Sequence, residues 1–233
     1  MLPLRDNIRS RSFPIMNWAL IGINVLVFLY ELSLGPAALQ RFTVTYGMIP
    51  VRLNLNQPST WLPVFTSMFL HGGWFHILTN MWVLFIFGDN VEDRMGPFNY
   101  LVFYILGGLV ANLMQAFIYP TSKMPAIGAS GAIAGVLGAY FLLYPRARVV
   151  TLIPIFIYPL IIEIPALVYL GFWFISQLYS GLFALSTSGG VNAGGVAWWA
   201  HVGGFAFGLV MVRGFVRHPA LPNDYPNPVR QRK

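Results

Sequence analysis

The sequence predicts an all-α fold, a bundle of six transmembrane helices, and two observations carry this prediction. Hydrophobic residues make up 57% of the 233-residue chain and charged residues only 9%, whereas a soluble domain carries about a quarter charged residues. Several apolar runs also approach the roughly 20 residues that a helix needs to cross a bilayer. We therefore expect an integral, multi-pass membrane protein, and a soluble globular domain is excluded.

The six predicted helices lie in one domain, residues 14–217, between two polar ends. Their approximate bounds, from hydropathy, are 14–34, 74–88, 98–119, 129–144, 164–185 and 196–216. The first run is too long for the apolar core of a signal peptide, so we predict that it is the first transmembrane helix. The stretch 149–163 contains Pro154 and Pro159, which interrupt helices, and we predict an interfacial segment that leads into the fifth helix.

The positively charged residues predict the orientation, because lysine and arginine favour the cytoplasmic ends of transmembrane helices. If residues 1–13 are cytoplasmic, only Arg41, Arg52 and Lys123 of the 14 lysines and arginines lie outside. The segment 218–233 then also lies in the cytoplasm, and its Pro, Asn and Arg content predicts disorder. We therefore expect a protein of the cell membrane with both ends cytoplasmic.

The formal net charge of +7 comes from basic residues scattered singly at loops and ends. Nucleic-acid binding proteins instead gather such residues into a patch or stripe, so the expected partner is the lipid bilayer and not nucleic acid. Cysteine is absent, which excludes disulfides, thiolate metal ligands and a cysteine nucleophile.

A few polar residues lie within the apolar helices, where they cost free energy and therefore indicate function. His76 and Asn80 begin the second predicted helix, Ser130 begins the fourth, and His201 lies near the start of the sixth. In the predicted orientation the N-terminal ends of these three helices face outside. Ser130 and His201 each stand 16 residues before an arginine, Arg146 or Arg217, which places both at about 24 Å above those anchors. The two side chains can therefore be level, within the outer part of the membrane.

Ser130 and His201 have the chemistry of a nucleophile and its base. Gly128 and Gly131 flank the serine closely and permit a tight turn into the helix, and the helix start supplies unpaired N–H groups that suit an oxyanion. A serine needs a base, and His201 is the only histidine predicted within the bilayer core. Small residues on both helices permit a close approach: Ala134, Gly138, Gly204 and Gly208. No carboxylate is predicted near the pair, so we expect a dyad.

His76 and Asn80 stand four residues apart and therefore share one helical face. Both side chains can donate hydrogen bonds, and such donors stabilise the oxyanion of acyl transfer. With the backbone N–H of Ser130 they are candidates for an oxyanion hole. His71 is interpreted as a loop or helix-entry residue that hydrogen-bonds the outer loop.

Each of these features also has a structural interpretation. A Gly-Ala-Ser-Gly string in an apolar helix is commonly a packing motif, and a single intramembrane histidine is often a structural hydrogen-bonding residue or part of a proton relay. A metal site on His71, His76 and Asn80 is disfavoured because neither a carboxylate nor a cysteine accompanies them. We therefore expect no metal and no cofactor.

Together these residues resemble the rhomboid proteases, from the first predicted helix to the sixth. The resemblance rests on the segments 71–80, 128–131 and 200–204, with Gly88, Glu92, Gly96 and Gly208, in matching order and spacing. It implies that Ser130 is the nucleophile, His201 the general base and acid, and His76 and Asn80 the oxyanion donors. It also implies a water-filled cavity open to the outside, with helices two and five and the loop before helix six controlling client entry.

Two positions depart from the family pattern. Trp61-Leu62-Pro63 stands where many members carry a Trp-Arg pair, so the usual anchoring of the first loop is in question. Ala134 stands where some members have an aromatic ring beneath the histidine, so the ring of His201 must be positioned by another group.

The sequence therefore predicts an intramembrane serine protease that cuts client proteins in or beside their transmembrane helices. One alternative is a rhomboid-like pseudoenzyme that binds client helices without cutting them. The other is a small transporter, for which inverted repeats or paired broken helices are expected, and the sequence shows no internal repeat.

Overall fold

The computed structural model describes residues 1–155, 158–188 and 195–217. Within these residues the chain forms eight α-helices, short 3-10 turns and three strands. The helices are α1 (Ile15–Ser33), α2 (Pro36–Tyr46), α3 (Leu62–Thr66), α4 (Trp74–Met95), α5 (Pro97–Ile118), α6 (Ser130–Leu143), α7 (Ala166–Ser188) and α8 (Trp198–Phe215). The strands are β1 (Leu2–Asp6), β2 (Arg148–Ile155) and β3 (Tyr158–Pro165). The predicted tail, 218–233, lies outside the described residues.

Each of the six hydropathy runs corresponds to one helix, and the chain is an integral membrane protein. Three helices, α1, α5 and α7, are each long and apolar enough to cross a bilayer. A fourth crossing exists if the segment Pro58–Phe69 and α4, which meet at a bend of 79°, are counted as one broken span. Helix α6 has only 14 residues, so length and composition support three or four spans, and six remains a prediction.

Helix α4 continues seven residues beyond its predicted end at 88, to Met95. The added turns carry Glu92, which is buried, and its carboxylate accepts hydrogen bonds from the backbone N–H groups of Met16 and Asn17. These are unpaired groups of the α1 N-terminus, for which a carboxylate is a suitable cap. Hydropathy did not predict these turns because they carry polar side chains. Those side chains are buried against other helices instead of facing lipid.

A small antiparallel sheet in the order β1-β2-β3 departs from the all-α prediction. Strands β2 and β3 form a hairpin in which Pro154 lies opposite Pro159. The predicted interfacial segment is therefore a hairpin, because its prolines exclude a helix and its many valines and isoleucines favour strands.

Strand β1 comes from residues 1–13, for which the sequence predicted no structure. It pairs with β2, with Leu2 opposite Leu152 and Asp6 opposite Val149. Asp6 Oδ2 accepts hydrogen bonds from Asn90 of α4 and Tyr140 of α6. Strand β1 is thereby attached to two helices as well as to the sheet.

Helix α6 forms the centre of the bundle, and ten of its 14 residues are buried. It contacts α4, α5, α7 and α8, and its closest neighbour is α8. A Cβ atom on Gly204 or Gly208 would overlap the carbonyl oxygen of Gly131 or Gly135. Glycine is therefore required wherever these two backbones touch.

Candidate active site

The structure brings Ser130 and His201 into hydrogen-bond contact across the seam between α6 and α8. Ser130 is the first residue of α6, and His201 lies in the first turn of α8. The distance from Ser130 Oγ to His201 Nε2 is 2.8 Å, although the two residues are 71 positions apart. The predicted packing positions Gly131, Ala134, Gly204 and Gly208 are all buried along this seam.

The chain enters α6 through a turn that only glycine adopts readily. Gly128 has a φ of +122°, and its N–H donates to the carbonyl of Ser67 at 2.8 Å. A Cβ atom at Gly128 would also approach His76 Nε2 to 2.7 Å. Gly128 therefore sets the direction of the turn and leaves space for the His76 ring beside Ser130.

His76 and Asn80 face the same cavity as Ser130 and His201. The N–H of Gly72 donates to His76 Nδ1 at 3.3 Å, so in the neutral ring the proton is on Nε2, next to Gly128. Asn80 is buried, and its Nδ2 has no hydrogen-bond partner among the described residues. A buried donor without a partner is costly, and Asn80 lines the cavity beside Ser130.

His71 lies outside this cavity, in the bend before α4. It is 4% exposed, and its backbone N–H donates to Glu31 Oε2 at 3.0 Å. No sequence pattern indicated this contact, because Glu31 is 40 positions earlier, near the end of the first apolar run. His71 and Glu31 join α1 to the bend and hold the entry to α4 in place.

Two residues of α7 that the sequence interpretation missed hold the His201 ring. Gln177 Oε1 lies 2.7 Å from His201 Nδ1, and the Trp173 ring lies 5.8 Å from the imidazole, centroid to centroid, at an interplanar angle of 34°. They stand four residues apart and so share a face of α7. Ala134 of α6 supplies no aromatic ring beneath His201, and these two side chains of α7 position the imidazole instead.

The cavity has two parts that meet at Ser130. The larger, about 470 Å³, is lined by the starts of α4 and α6 and by the segment that leads into α8. The smaller, about 180 Å³, lies between α4, α6 and α7, and Pro3 of β1 forms part of its wall. Among the described residues no three His, Asp or Glu side chains are grouped as metal ligands are.

This arrangement has the parts needed for acyl transfer. A hydroxyl lies within hydrogen-bond distance of an imidazole nitrogen, and that imidazole is oriented by a third side chain. A helix N-terminus and an unpartnered amide donor lie beside the hydroxyl.

Comparisons with known proteins point to one family. The family model described as the Rhomboid domain matches residues 58–218. Rhomboid protein 1, mitochondrial, of Saccharomyces cerevisiae is 28% identical over 147 residues, which cover 61% of this chain and 39% of that protein. The putative rhomboid protease YdcA of Bacillus subtilis is 29% identical over 130 residues, 56% of this chain and 62% of the relative. Rhomboid-like protein 11, chloroplastic, of Arabidopsis thaliana is 31% identical over 112 residues, 48% of this chain and 39% of the relative. The matches cover less than two thirds of the length of each of these relatives.

Proposed function

Because this chain belongs to the rhomboid family, we propose that it is an intramembrane serine protease that hydrolyses peptide bonds in or beside the transmembrane helices of client proteins. The observation that carries the proposal is the 2.8 Å contact of Ser130 Oγ with His201 Nε2. Family membership alone supports a protease-type function. The contact supports an active enzyme over a pseudoenzyme that binds clients without cutting them.

In the proposed reaction Ser130 Oγ attacks the client's carbonyl carbon while its proton passes to His201 Nε2. The protonated His201 then gives that proton to the leaving amine, and the C–N bond breaks. A water molecule, deprotonated by His201, then attacks the resulting ester. The bond between the acyl carbon and Ser130 Oγ breaks, His201 returns the proton to Oγ, and the carboxyl product leaves. The reaction consumes one water and needs neither a metal nor a cofactor.

The tetrahedral intermediate carries a negative oxygen, for which we propose three donors. They are the backbone N–H of Ser130, Asn80 Nδ2 and His76 Nε2. A donor aimed at a developing oxyanion in a site with little water contributes about 3–4 kcal/mol to transition-state stabilisation. Asn80 Nδ2 has no acceptor in the part of the chain that the structure describes, which supports this role because the substrate would then supply one.

An intact client helix keeps its carbonyl groups hydrogen-bonded, because lipid offers them no other donor. We propose that the client unwinds locally at the cavity, where water and the donors above replace its internal hydrogen bonds. Clients are then cut near the end of the helix that reaches Ser130.

The test is cleavage of a model transmembrane client in proteoliposomes, together with labelling by a fluorophosphonate. Ser130→Ala removes one hydroxyl, so the protein should still fold, whereas cleavage should fall far more than 100-fold and labelling should be lost. The double variant Ser130→Ala/His201→Ala should be about as slow as either single variant, because the two groups act as a unit. A pseudoenzyme would bind the client but show neither labelling nor Ser130-dependent cleavage.

We also propose that Ser130 opens to the side opposite the cation-rich loops, which the charge distribution supports. The chain has no cysteine, so single cysteines report the topology directly. Lys123 and Arg146 are exposed. Lys123 lies in the loop before α6 and Arg146 in the loop after it. Lys123→Cys should react with an impermeant maleimide in intact cells, and Arg146→Cys only after permeabilisation. The reverse pattern would overturn this orientation.

The cell membrane as location stays a prediction, since the named relatives include mitochondrial and chloroplastic proteins.

A further inference from the structure

The side of the His201 ring that faces away from Ser130 contacts a buried glutamine. Gln177 is 7% exposed, and its Oε1 lies 2.7 Å from His201 Nδ1. A buried amide in the middle of an apolar helix costs free energy unless its hydrogen bonds are made. Its presence one turn from Trp173, on the face of α7 that meets His201, therefore needs an explanation.

The hydrogen bonds around Gln177 determine which way its amide points. The Ser176 hydroxyl donates to the carbonyl of Trp173 at 2.6 Å, so its oxygen is left to accept from Gln177 Nε2 at 3.0 Å. This leaves Gln177 Oε1 towards His201, and an amide oxygen can only accept. His201 Nδ1 must therefore carry the proton, and Nε2 presents its lone pair to the Ser130 hydroxyl.

We propose that Gln177 is a positioning residue that holds His201 in the tautomer able to take a proton from Ser130. The inference rests on the proposed protease function and adds a third member to the dyad. Gln177 acts through His201 and does not touch the client. Since an amide is neutral, it fixes the tautomer and the ring orientation without supplying the negative charge that a carboxylate would bring to the protonated ring.

Helix α7 supplies two side chains that contact the ring. Trp173 limits its tilt from one face, and Gln177 limits its rotation by the hydrogen bond to Nδ1. The Trp173 ring also contacts Phe205 of α8, at a centroid distance of 6.0 Å. A movement of α7 away from α8 therefore removes both restraints at once.

The experiment compares Gln177→Leu with Gln177→Glu, using steady-state cleavage of a transmembrane client between pH 5 and 9. Gln177→Leu removes the acceptor and should lower kcat about 10- to 100-fold with little change in KM, the scale expected when a buried N–H loses its acceptor. Gln177→Glu keeps an acceptor and should recover most of kcat at high pH. Its acid limb should move upward by about one pH unit, because a carboxylate stabilises a protonated imidazole.

Gln115→Leu is the matched control, because Gln115 is also a buried glutamine but lies on α5, without a hydrogen bond to His201. It should keep the wild-type pH profile. A purely structural role for Gln177 would lower activity in proportion to folded protein and leave the pH profile of the folded fraction unmoved.

Two results would overturn the positioning role while leaving the protease intact: an unchanged kcat in folded Gln177→Leu, or an unmoved acid limb in Gln177→Glu. If Gln177→Leu does not fold, Gln177→Glu still decides the question. If Ser130→Ala retains cleavage, the proposed function itself fails, whatever the Gln177 variants show.

Discussion

The two sides of the Ser130 cavity are built differently. On one side α6 and α8 touch backbone to backbone through glycines, so the proposed nucleophile and base stand on a seam with no room for a methyl group. On the other side α4 and α7 are separated by a cavity that Pro3 of β1 helps to close. Ser130 and His201 are therefore fixed in distance by backbone contact, whereas the orientation of His201 depends on side chains from α7. The contact between α6 and α8 determines the position of Ser130 and His201, and the α4–α7 side determines the orientation of the His201 ring.

The largest expected effect comes from adding one methyl group to the seam. Gly204→Ala places a Cβ atom against the Gly131 carbonyl oxygen, which cannot move without shifting α6. We expect a loss of at least about 1–3 kcal/mol of folding free energy and nearly complete loss of cleavage. The measurements are thermal unfolding in detergent and client cleavage.

Gly171→Ala on α7 is the matched control for that substitution. Among the residues that the structure describes, the added Cβ atom would meet Phe141 alone, at an ordinary contact distance of 3.7 Å. Since alanine favours a helix over glycine, this variant should be stabilised by roughly 0.5–1 kcal/mol and keep its activity. Equal destabilisation of the two variants would contradict the difference between the seam and α7.

The next effect concerns Asn80, on the α4 side. Asn80→Ala removes a donor that has no hydrogen-bond partner among the described residues, so stability should change little. Turnover should fall by about one to three orders of magnitude, because the donor acts on the developing oxyanion. Single-turnover rates and client binding, measured separately, check this prediction. Normal turnover would remove Asn80 from the proposed oxyanion hole.

The last effect is on stability and not on cleavage, and it concerns pH and the attachment of β1. Burial raises the pKa of Asp6 from its ordinary value of 3.8 to about 7, with the charge of Asp89 adding to the rise. Between these two values the folded protein holds a proton that the unfolded chain releases, so stability should fall as the pH rises from about 4 to about 7.

Thermal unfolding of wild type and Asp6→Asn across this range checks the prediction. The wild-type midpoint should fall relative to that of the variant by about 2–4 °C for each 1 kcal/mol lost. Parallel curves would show that the protonation of Asp6 does not contribute to the pH dependence of stability.

The six helices were predictable because lipid requires long apolar runs, and hydropathy reports that requirement directly. Ser130 and His201 could be paired because polar groups are rare in those runs and glycines surround them. Other features depend on residues far apart in the chain. The role of Gln177 depends on the packing of α7 against His201, which its own helix does not reveal. Strand β1 depends on pairing with β2, which follows α6 in the chain. The contacts of Glu31 and Glu92 were not predicted for the same reason, since each carboxylate accepts hydrogen bonds from a backbone segment 40 or more positions away.

The pairing of β1 with β2 also has a consequence for the order of synthesis. Asp6 lies opposite Val149, about 140 residues later, and a ribosome adds roughly 5–20 residues per second. Strand β1 is therefore synthesised roughly 7–30 seconds before its partner β2, and α1 to α6 are made in between. Tyr140, which donates to Asp6, is made only shortly before β2, so the first strand of the chain is among the last to dock. The helices that carry Ser130, His76 and Asn80 are therefore synthesised before the strand pairing that places Pro3 in the wall of their cavity.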